Sequence, residues 1–265
     1  MEKQAQKRIN VLGVGINATT LELAVRKMAS WIDSSARKYV NVCTVHTVME
    51  CYSNPALRTM INNSGMSTSD GMPLVWLCRY QGHREATRVY GPDFMMAFCA
   101  YSLSSGYRHF FYGGADGIAS KLAAELEERY PGLQVAGTYS PPFRKVGEIE
   151  NTEIIERINA TRPDVVWVGL GTPKQDFWVA QHRPFLNAAV LVAVGAAFDF
   201  LTDRVPQAPQ WMQKTGLEWL FRLAMEPRRL AYRYLIYNPL FVIHTICQLC
   251  GFKKYDFEDR QTGKH

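Results

Sequence analysis

The sequence lacks an apolar run long enough to cross a bilayer, and it has no low-complexity segment or internal repeat. Its uncharged stretch Tyr234–Phe252 is interrupted at Asn238-Pro239, which leaves about 14 residues, or about 21 Å of helix at about 1.5 Å per residue. A hydrocarbon core needs about 30 Å, or roughly 20 residues. We therefore expect no transmembrane helix, and the 47% of apolar residues is available for a globular core.

Signals for export and for disulfide bonds are also few. Met1–Arg8 is polar and has no apolar stretch of signal-peptide length, so we expect a cytoplasmic protein. The six cysteines lie mostly inside apolar runs such as Trp76-Leu77-Cys78, which predicts buried thiols in a reducing compartment. Cys247-x-x-Cys250 lacks a second pair of ligands, so we favour helix packing there over zinc or redox chemistry.

The net charge of +6 is concentrated in one segment. Between Arg204 and Lys254 the chain has eight lysines and arginines but only two glutamates, so this segment holds the whole excess. A local excess predicts an anionic partner: phospholipid, pyrophosphate or nucleic acid. Because the cations flank an apolar run, an interfacial helix fits best, and five of them near an anionic leaflet contribute about 5 kcal/mol. A tail that folds back onto the protein or pairs with another subunit is the alternative.

Apolar runs alternate with helical patterns along the first 200 residues. Unbroken apolar strands between helices are typical of a parallel sheet that is covered on both faces. We therefore predict an α/β fold, with a single Rossmann-like domain and a mainly parallel sheet over residues 1–200, and a helical, membrane-associating appendage over residues 201–265. The predicted strands are Ile9–Val14, Tyr39–Val45, His109–Tyr112, Leu133–Gly137, Asp164–Val168 and Ala189–Val194, and the predicted helices are Thr20–Ile32, Asn54–Asn63, Phe94–Leu103, Ile118–Tyr130, Glu153–Ala160 and Lys174–His182.

A glycine pair follows the predicted strand His109–Tyr112, at the position where open parallel sheets bind ligands. Gly113 and Gly114 would let the backbone approach a phosphate, while a tight turn that needs positive φ explains them equally well. Gly13-Val14-Gly15 is similar to the start of a dinucleotide-binding fingerprint but lacks its third glycine. We therefore favour a structural turn there.

A second loop, Gly169–Gln175, has more of the features of a phosphate site. Thr172 suits an N-cap and Pro173 suits the first helical position. Lys174 opposes the helix dipole at this end, which favours a phosphate or carboxylate in the same site over a bare cap. Asp70 lies in the predicted turn Ser67–Gly71 and is either a turn aspartate or a general base at the mouth of a pocket.

Nine segments occur in one order along the chain: Thr44, Ser69–Gly71, Arg88–Asp93, Tyr112–Gly114, Tyr130–Leu133, Arg162–Asp164, Val168–Asp176, Gly195–Phe200 and Gly216–Leu223. Together they resemble the WecG/TagA/CpsF family of bacterial glycosyltransferases, and the Gly-x-Gly-x-Pro-Lys-Gln and Gly-Leu-Glu-Trp-x-x-Arg-Leu blocks are specific to that family. The resemblance implies an inverting, metal-independent enzyme of bacterial surface polysaccharide synthesis. It would move a sugar of the N-acetylmannosamine, N-acetylmannosaminuronic acid or glucose type from a UDP-sugar to a polyprenyl-diphosphate-linked saccharide.

The resemblance also implies roles for single residues. Asp70 matches the family's proposed base, with Thr44 and Arg88 beside it in the pocket. His46 stands where members commonly have Asn, and it either lines the pocket or shares the base's task. Gln207 likewise stands where members commonly have Arg. The predicted substrate-binding residues are Gly113, Gly114, Gly137, Gly169, Gly171, Pro173, Lys174, Gln175 and Asp199. The arginines predicted to bind the lipid diphosphate are Arg222, Arg229 and Arg233. For the last of these, the family pattern places the arginine either at Arg233 or one residue earlier, at Tyr232.

These implications define the expected partners. We expect no cofactor and no metal site, because no Asp-x-Asp follows a strand and Asp256–Asp259 in the polar terminus is expected to be solvated. Protein donors and helix ends would then stabilise the leaving diphosphate. The UDP-sugar is a substrate, the acceptor is lipid-linked, and the anionic cytoplasmic face of the membrane is the expected location of a peripheral enzyme. Nucleic acid is not expected, and a homo-oligomer is left open. A dinucleotide-dependent oxidoreductase and a non-catalytic membrane-associated subunit are the alternative functions.

Overall fold

A computed structural model describes residues 7–142 and 148–257, without the side chains of residues 148–150. The strands are β1 (Arg8–Val11), β2 (Val14–Asn17), β3 (Lys38–Cys43), β4 (Met66–Ser69), β5 (Arg108–Gly113), β6 (Gln134–Tyr139), β7 (Val165–Gly169) and β8 (Val190–Ala193). The helices are α1 (Leu21–Asp33), α2 (Val45–Ser53), α3 (Pro55–Asn62), α4 (Met72–Tyr80), α5 (Gly91–Ser102), α6 (Ile118–Arg129), α7 (Glu148–Ala160), α8 (Lys174–His182), α9 (Ala197–Leu201), α10 (Gln210–Lys214), α11 (Glu218–Met225), α12 (Pro227–Tyr232), a π-helix (Arg233–Tyr237) and α13 (Asn238–Leu249).

The chain divides into two compact units, and each is assembled from separate stretches. The first unit comprises residues 1–20, 43–89 and 207–265, and the second unit comprises residues 21–42 and 90–206. The first unit therefore combines segments from both ends of the chain. A domain boundary at residue 200 stays a prediction, since these units follow tertiary contacts and not one break in the chain.

The second unit is built on a parallel sheet. Its strands run in the order β3-β8-β7-β5-β6, and the pairings among them are parallel, as the alternating pattern predicts. Leu191 of β8 lies opposite both Tyr39 of β3 and Val166 of β7. Tyr39 and Val166 belong to one buried cluster with Trp178 of α8 and Ile158 of α7. The inner strands β7 and β8 consist of apolar residues and glycine and are buried almost throughout, as expected of strands in the middle of a parallel sheet.

The first unit begins with an antiparallel hairpin, not with the single strand predicted over Ile9–Val14. β1 pairs with β2 from Arg8↔Asn17 to Val11↔Val14. The two turn residues, Leu12 and Gly13, both have positive φ (53° and 87°), as the tight turns of hairpins require. The structural reading of Gly13 is confirmed, and Gly15 lies in β2 and not before a helix.

Two further elements of the first unit differ from the predictions. Ser67–Ser69 forms part of the buried strand β4, where a turn was predicted. The polar side chains are tolerated because they are satisfied inside the protein: the Ser67 amide donates to Asn17 Oδ1 at 2.8 Å, and the Ser67 and Ser64 hydroxyls lie 2.9 Å apart. Helix α2, between β3 and α3, was not predicted at all. Tertiary context therefore overrides local propensity at both places.

The C-terminal helices form part of the first unit, and the last of them, α13, bonds to the hairpin through Gln248. An interruption was predicted at Asn238-Pro239, but the helical path continues there. Pro239 lies in the first turn of α13, where a missing N–H leaves no bond unmade. The side chain of Phe257 covers Gly15, where an added Cβ would overlap the ring. Among the residues that the structure describes, no helix is long and apolar enough to span a membrane. Glu258 and Asp259, predicted to be solvated, lie outside the described residues.

The cysteines follow the sequence prediction in part. Cys43, Cys51, Cys78 and Cys99 are buried and all six thiols are free. Cys250 is exposed and Cys247 is half-buried, so the prediction of a buried thiol is wrong for the last of the six.

Candidate active site

Asp70 is placed by the end of strand β4. Its backbone amide donates to the carbonyl oxygen of Cys43 at 2.7 Å, and Gly71, which follows it, has φ of 142°, a value that favours glycine. Only 12% of the Asp70 side chain is exposed. The backbone thus fixes the carboxylate at the carboxyl end of a strand, in a protected position.

Arg88 binds this carboxylate and a second one. Its Nε and Nη2 atoms donate to Asp70 Oδ1 at 3.1 and 2.9 Å. Its Nη2 atom also lies 2.7 Å from Glu218 Oε2, at the start of α11. Gln213 Oε1 accepts from Arg88 Nη1 at 3.4 Å. One guanidinium therefore connects two carboxylates that are far apart in the sequence.

The surroundings make Asp70 an unusually basic carboxylate. Burial is the largest cause and raises the pKa of Asp70 to about 6. The charge of Glu218 also raises this pKa, whereas the cations Arg88 and Arg222 lower it. An aspartate with a pKa near 6 is ionised at neutral pH and still takes up a proton readily. Perturbed carboxyl groups of this kind cluster at functional sites.

Two of the three predicted lipid-diphosphate arginines lie within electrostatic range of Asp70. The charge of Arg222 acts on the pKa of Asp70. Burial lowers the pKa of Arg233 to about 10, and the charges of Arg222 and Arg229 act in the same direction, whereas Asp70 opposes them. Arg222 and Arg233 are half-buried cations near one another, an arrangement that favours an anion. Arg229 is exposed and donates to Glu226 Oε1 at 2.6 Å.

Arg233 opens the π-helix that joins α12 to α13. Single π-turns inside helices occur frequently at functional sites. Here the turn contains Tyr234, which is buried, and Tyr237, whose hydroxyl donates to Glu50 Oε1 at 3.2 Å. The burial of Tyr234 and the hydrogen bond of Tyr237 both hold the segment that carries Arg233 in place.

Thr44, predicted to be catalytic, caps helix α2. The Thr47 amide donates to Thr44 Oγ1 at 3.3 Å, and the Thr44 amide donates to Thr47 Oγ1 at 3.1 Å, which completes a reciprocal cap. Thr44 directly follows Cys43, whose carbonyl binds the Asp70 amide. A position near Asp70 thus agrees with the resemblance, and a role in the reaction stays a prediction.

His46 contacts the C-terminal helices. Its Nδ1 atom lies 3.6 Å from Glu50 Oε1, and its ring centroid lies 5.6 Å from that of Tyr237. Burial, followed by the charge of Arg233, lowers the pKa of His46 to about 3. An imidazole with so low a pKa is neutral at pH 7 and a weak base, which favours the pocket-lining role over shared base duty.

The predicted phosphate loops lie in the second unit. An added Cβ at Gly113 would lie 2.5 Å from the carbonyl oxygen of Gly169, and the Gly114 amide donates to that same oxygen at 2.9 Å. A Cβ at Gly169 would lie 2.8 Å from the Phe198 ring. These three glycines therefore permit close packing of strands β5 and β7. Gly171 differs, because it has φ of 76° and open space on its Cβ side.

Gln175 connects two loops at the carboxyl ends of neighbouring strands. Its Oε1 atom accepts from the amides of Gly171 at 3.1 Å and Gly195 at 2.9 Å, and the side chain is buried. Pro173, not Thr172, occupies the N-cap position, so α8 begins with the exposed Lys174. The N-cap prediction for Thr172 is therefore wrong by one residue. The prediction placed Pro173 at the first helical position, whereas the helix begins at Lys174.

The last two predicted substrate residues have packing partners in the second unit. Gly137 of β6 lies against the Phe110 ring, where an added Cβ would come within 2.8 Å. Asp199 Oδ1 accepts from Arg204 Nη1 at 3.1 Å on the surface of α9. Substrate contact at either residue stays a prediction.

The sequence also matches a known enzyme family. A sequence profile of the glycosyl transferase WecG/TagA/CpsF family matches residues 9–255. The chain therefore belongs to the WecG/TagA/CpsF family of glycosyltransferases, and the resemblance is confirmed. It is an enzyme of that class.

Relatives of known activity share one name. The chain is 26% identical over 213 residues to an N-acetylglucosaminyldiphosphoundecaprenol N-acetyl-beta-D-mannosaminyltransferase of Bacillus spizizenii, which covers 80% of each protein. A protein of the same name from Bacillus subtilis is 28% identical over 170 residues, or 64% of each chain. A third, from Staphylococcus aureus, is 22% identical over 231 residues, or 86% of this chain and 89% of the relative.

Glu218 and Gln213 are site residues that sequence reasoning did not assign. Glu218 belongs to the Gly-Leu-Glu-Trp block, so the block itself was the only signal for it. No group of three or more His, Cys, Asp or Glu side chains able to hold a metal ion occurs in residues 7–142 and 151–257. Transfer without a metal stays a prediction.

Proposed function

We propose that this enzyme transfers a sugar from a UDP-sugar to a polyprenyl-diphosphate-linked saccharide, with Asp70 as general base. The observation that supports this most is the buried Asp70 carboxylate, with its pKa raised to about 6, beside Arg88 and the half-buried Arg222. The named acceptor of the relatives, N-acetylglucosaminyldiphosphoundecaprenol, is a lipid diphosphate of the kind proposed here. Their N-acetylmannosaminyl group is the first sugar to test.

The proposed step is a single displacement. The acceptor hydroxyl oxygen attacks the anomeric carbon on the face opposite UDP, and a glycosidic C–O bond forms as the bond from that carbon to the UDP oxygen breaks. Asp70 takes the hydroxyl proton, and UDP departs with the bonding electrons. One displacement inverts the anomeric configuration, and without a metal ion the protein's own donors must offset the negative charge.

The arginines of the first unit supply cations for the lipid diphosphate in this proposal. Arg222 and Arg233 are half-buried, which strengthens their attraction for an anion relative to exposed side chains. Arg229 would have to exchange its bond to Glu226 for a bond to the substrate. In the second unit, the Gly169–Gln175 loop is the proposed binding site of the UDP group, and the open side of Gly171 supports it.

The proposal includes a peripheral position at the cytoplasmic face of the membrane, and the outer surface of the C-terminal helices supports the membrane contact. Large apolar side chains are exposed there beside the cations Arg228 and Arg229 and, further on, Lys253 and Lys254. Apolar area and cations together bind interfacial helices to anionic bilayers. The exposed apolar residues of this surface are Leu235, Ile236, Leu240, Val242, Ile243, Ile246, Leu249 and Phe252.

The deciding experiment is a transfer assay on the full chain. UDP-N-acetylmannosamine and other UDP-sugars are offered with a short-chain polyprenyl-diphosphate-linked N-acetylglucosamine, and glycolipid product and released UDP are measured together. Product from one donor, with loss of turnover but retained UDP binding in Asp70→Asn, is the expected result. If no donor gives either glycolipid product or released UDP, the result would support the non-catalytic alternative.

An oxidoreductase is disfavoured by the hairpin. The Gly13-Val14-Gly15 segment would have to lead from a strand into a helix to bind a dinucleotide. Instead it lies in the turn and second strand of a hairpin. A rise in the unfolding temperature with NAD but not with UDP would revive that alternative.

A further inference from the structure

Glu218 shares the cation that binds Asp70. Arg88 Nη2 lies 2.7 Å from Glu218 Oε2 and 2.9 Å from Asp70 Oδ1. Only 16% of each of the Glu218 and Arg88 side chains is exposed. Charge-assisted bonds of this length in a protected place are much stronger than surface ion pairs.

The two partners of Asp70 act on its proton affinity in opposite directions. Arg88 lowers the pKa of Asp70, and Glu218 raises it. An aspartate held by an arginine of its own would be a weak base, since the cation stabilises the ionised form. The other charged groups that act on Asp70 are cations as well: Arg222 lowers its pKa, and Arg233 interacts with it across the same cluster. Among the described residues whose charges act on the pKa of Asp70, Glu218 is the carboxylate.

The backbone around Glu218 holds it in register. Gly216, with φ of 75°, fits against Trp76, where an added Cβ would lie 2.9 Å from the ring. The Leu217 amide donates to the carbonyl oxygen of Met212 at 2.8 Å. Gln213 contributes as well, because its amide donates to the Ala208 carbonyl while its oxygen accepts from Arg88. The segment that leads into Glu218 is thus fixed on the N-terminal side of that residue.

We propose that Glu218 is a positioning residue for the base: by sharing Arg88, it holds that cation beside Asp70 without letting it suppress the basicity of Asp70. This rests on the proposed function of Asp70 as the general base. The C-terminal segment then contributes to the site with a carboxylate as well as with arginines, and the start of α11 becomes part of the catalytic arrangement.

The test measures pH profiles of Glu218→Gln. Removing the charge lets Arg88 serve Asp70 alone, so the acidic limb of kcat/KM should move to lower pH while kcat at the high-pH plateau falls about tenfold, as expected for a weaker base. The KM for the UDP-sugar should stay unchanged. Glu85→Gln is the matched control, because it removes an exposed carboxylate of the same unit that lies 3.7 Å from His83 Nδ1, and it should behave as the wild type does.

Glu218→Asp withdraws the carboxylate by one methylene group and should be intermediate in both quantities. Should the Gln variant fail to fold, the Asp variant decides, and an unmoved acidic limb overturns the proposal. A loss of kcat in Glu218→Gln with both limbs in their wild-type places would indicate a structural role and would overturn it too. These failures differ from failure of the proposed function, which would appear as full turnover in Asp70→Asn.

Discussion

The side chain of Gln248 accepts a hydrogen bond from the backbone amide of Leu12 at 3.0 Å, so the last helix is tied to the turn of the first hairpin. The same side chain donates to the carbonyl oxygen of Asn10 at 3.0 Å. One glutamine thus satisfies a donor and an acceptor of the turn. The alternative prediction for the tail was that it folds back onto the protein. The side of α13 that carries Gln248 does so, because it bonds to the hairpin turn.

We expect Gln248→Ala to lower the free energy of unfolding by about 1–3 kcal/mol, because it leaves two part-buried backbone groups without a partner. Gln210→Ala, at an exposed position of the same unit, should change it by no more than about 0.5 kcal/mol. Urea denaturation of both variants makes the comparison. Equal losses in the two would mean that the Gln248 bonds contribute nothing.

Asp176 gives a prediction on pH and stability. It is fully buried and accepts from Asn41 Nδ2 at 2.8 Å, and burial raises its pKa to about 6 from an ordinary value of 3.8. The native state therefore holds this proton more tightly than the unfolded chain does. The stability from this group is fully present below about pH 4 and is lost as pH rises through about 6.

Asp176→Asn removes this titration. The variant should be as stable as the wild type near pH 4 and more stable at pH 8, by up to about 3 kcal/mol. Thermal unfolding at several pH values, with the wild type measured alongside, gives the difference curve. A difference that is the same at every pH would show that Asp176 does not titrate between the two values.

The proposed membrane surface predicts an effect of two exposed isoleucines of α13. Ile243→Gln combined with Ile246→Gln should weaken binding to anionic vesicles about tenfold, because it removes apolar area that the bilayer would cover. The control pair Leu23→Gln and Leu103→Gln changes two exposed leucines of the second unit. Vesicle sedimentation of both pairs decides, and equal binding by the two would contradict a membrane role of this surface.

The parallel sheet could be predicted from the sequence because its inner strands β7 and β8 are buried and form unbroken apolar runs. Strand β4 could not, since Ser67, Thr68 and Ser69 look like a turn, and only contacts such as that of Ser67 with Asn17 satisfy them inside the protein. The hairpin was missed for a related reason: Leu12 adopts a positive φ that its residue type rarely takes. Local patterns carry no information on such compensation.

For the site, the residue types were predictable and their connections were not. Asp70 was a candidate base from its loop and from the family resemblance, Arg88 was a candidate from the resemblance alone, and the structure brings the two into contact. The bond of Arg88 to Glu218 joins segments far apart in the sequence, so no spacing indicates it. Likewise, the sequence did not indicate that the side-chain oxygen of Gln175 accepts from two backbone amides.

The pH dependence of kcat/KM with the lipid-linked acceptor tests the central claim most directly. Since Asp70 must be ionised to accept the acceptor's proton and its pKa is about 6, the rate should rise with pH through about 6 and then level off. Asp70→Asn should fall about 10²- to 10⁴-fold below the wild type at the plateau, with UDP binding retained. An Asp70→Asn enzyme that keeps its full rate and the same acidic limb would contradict the account.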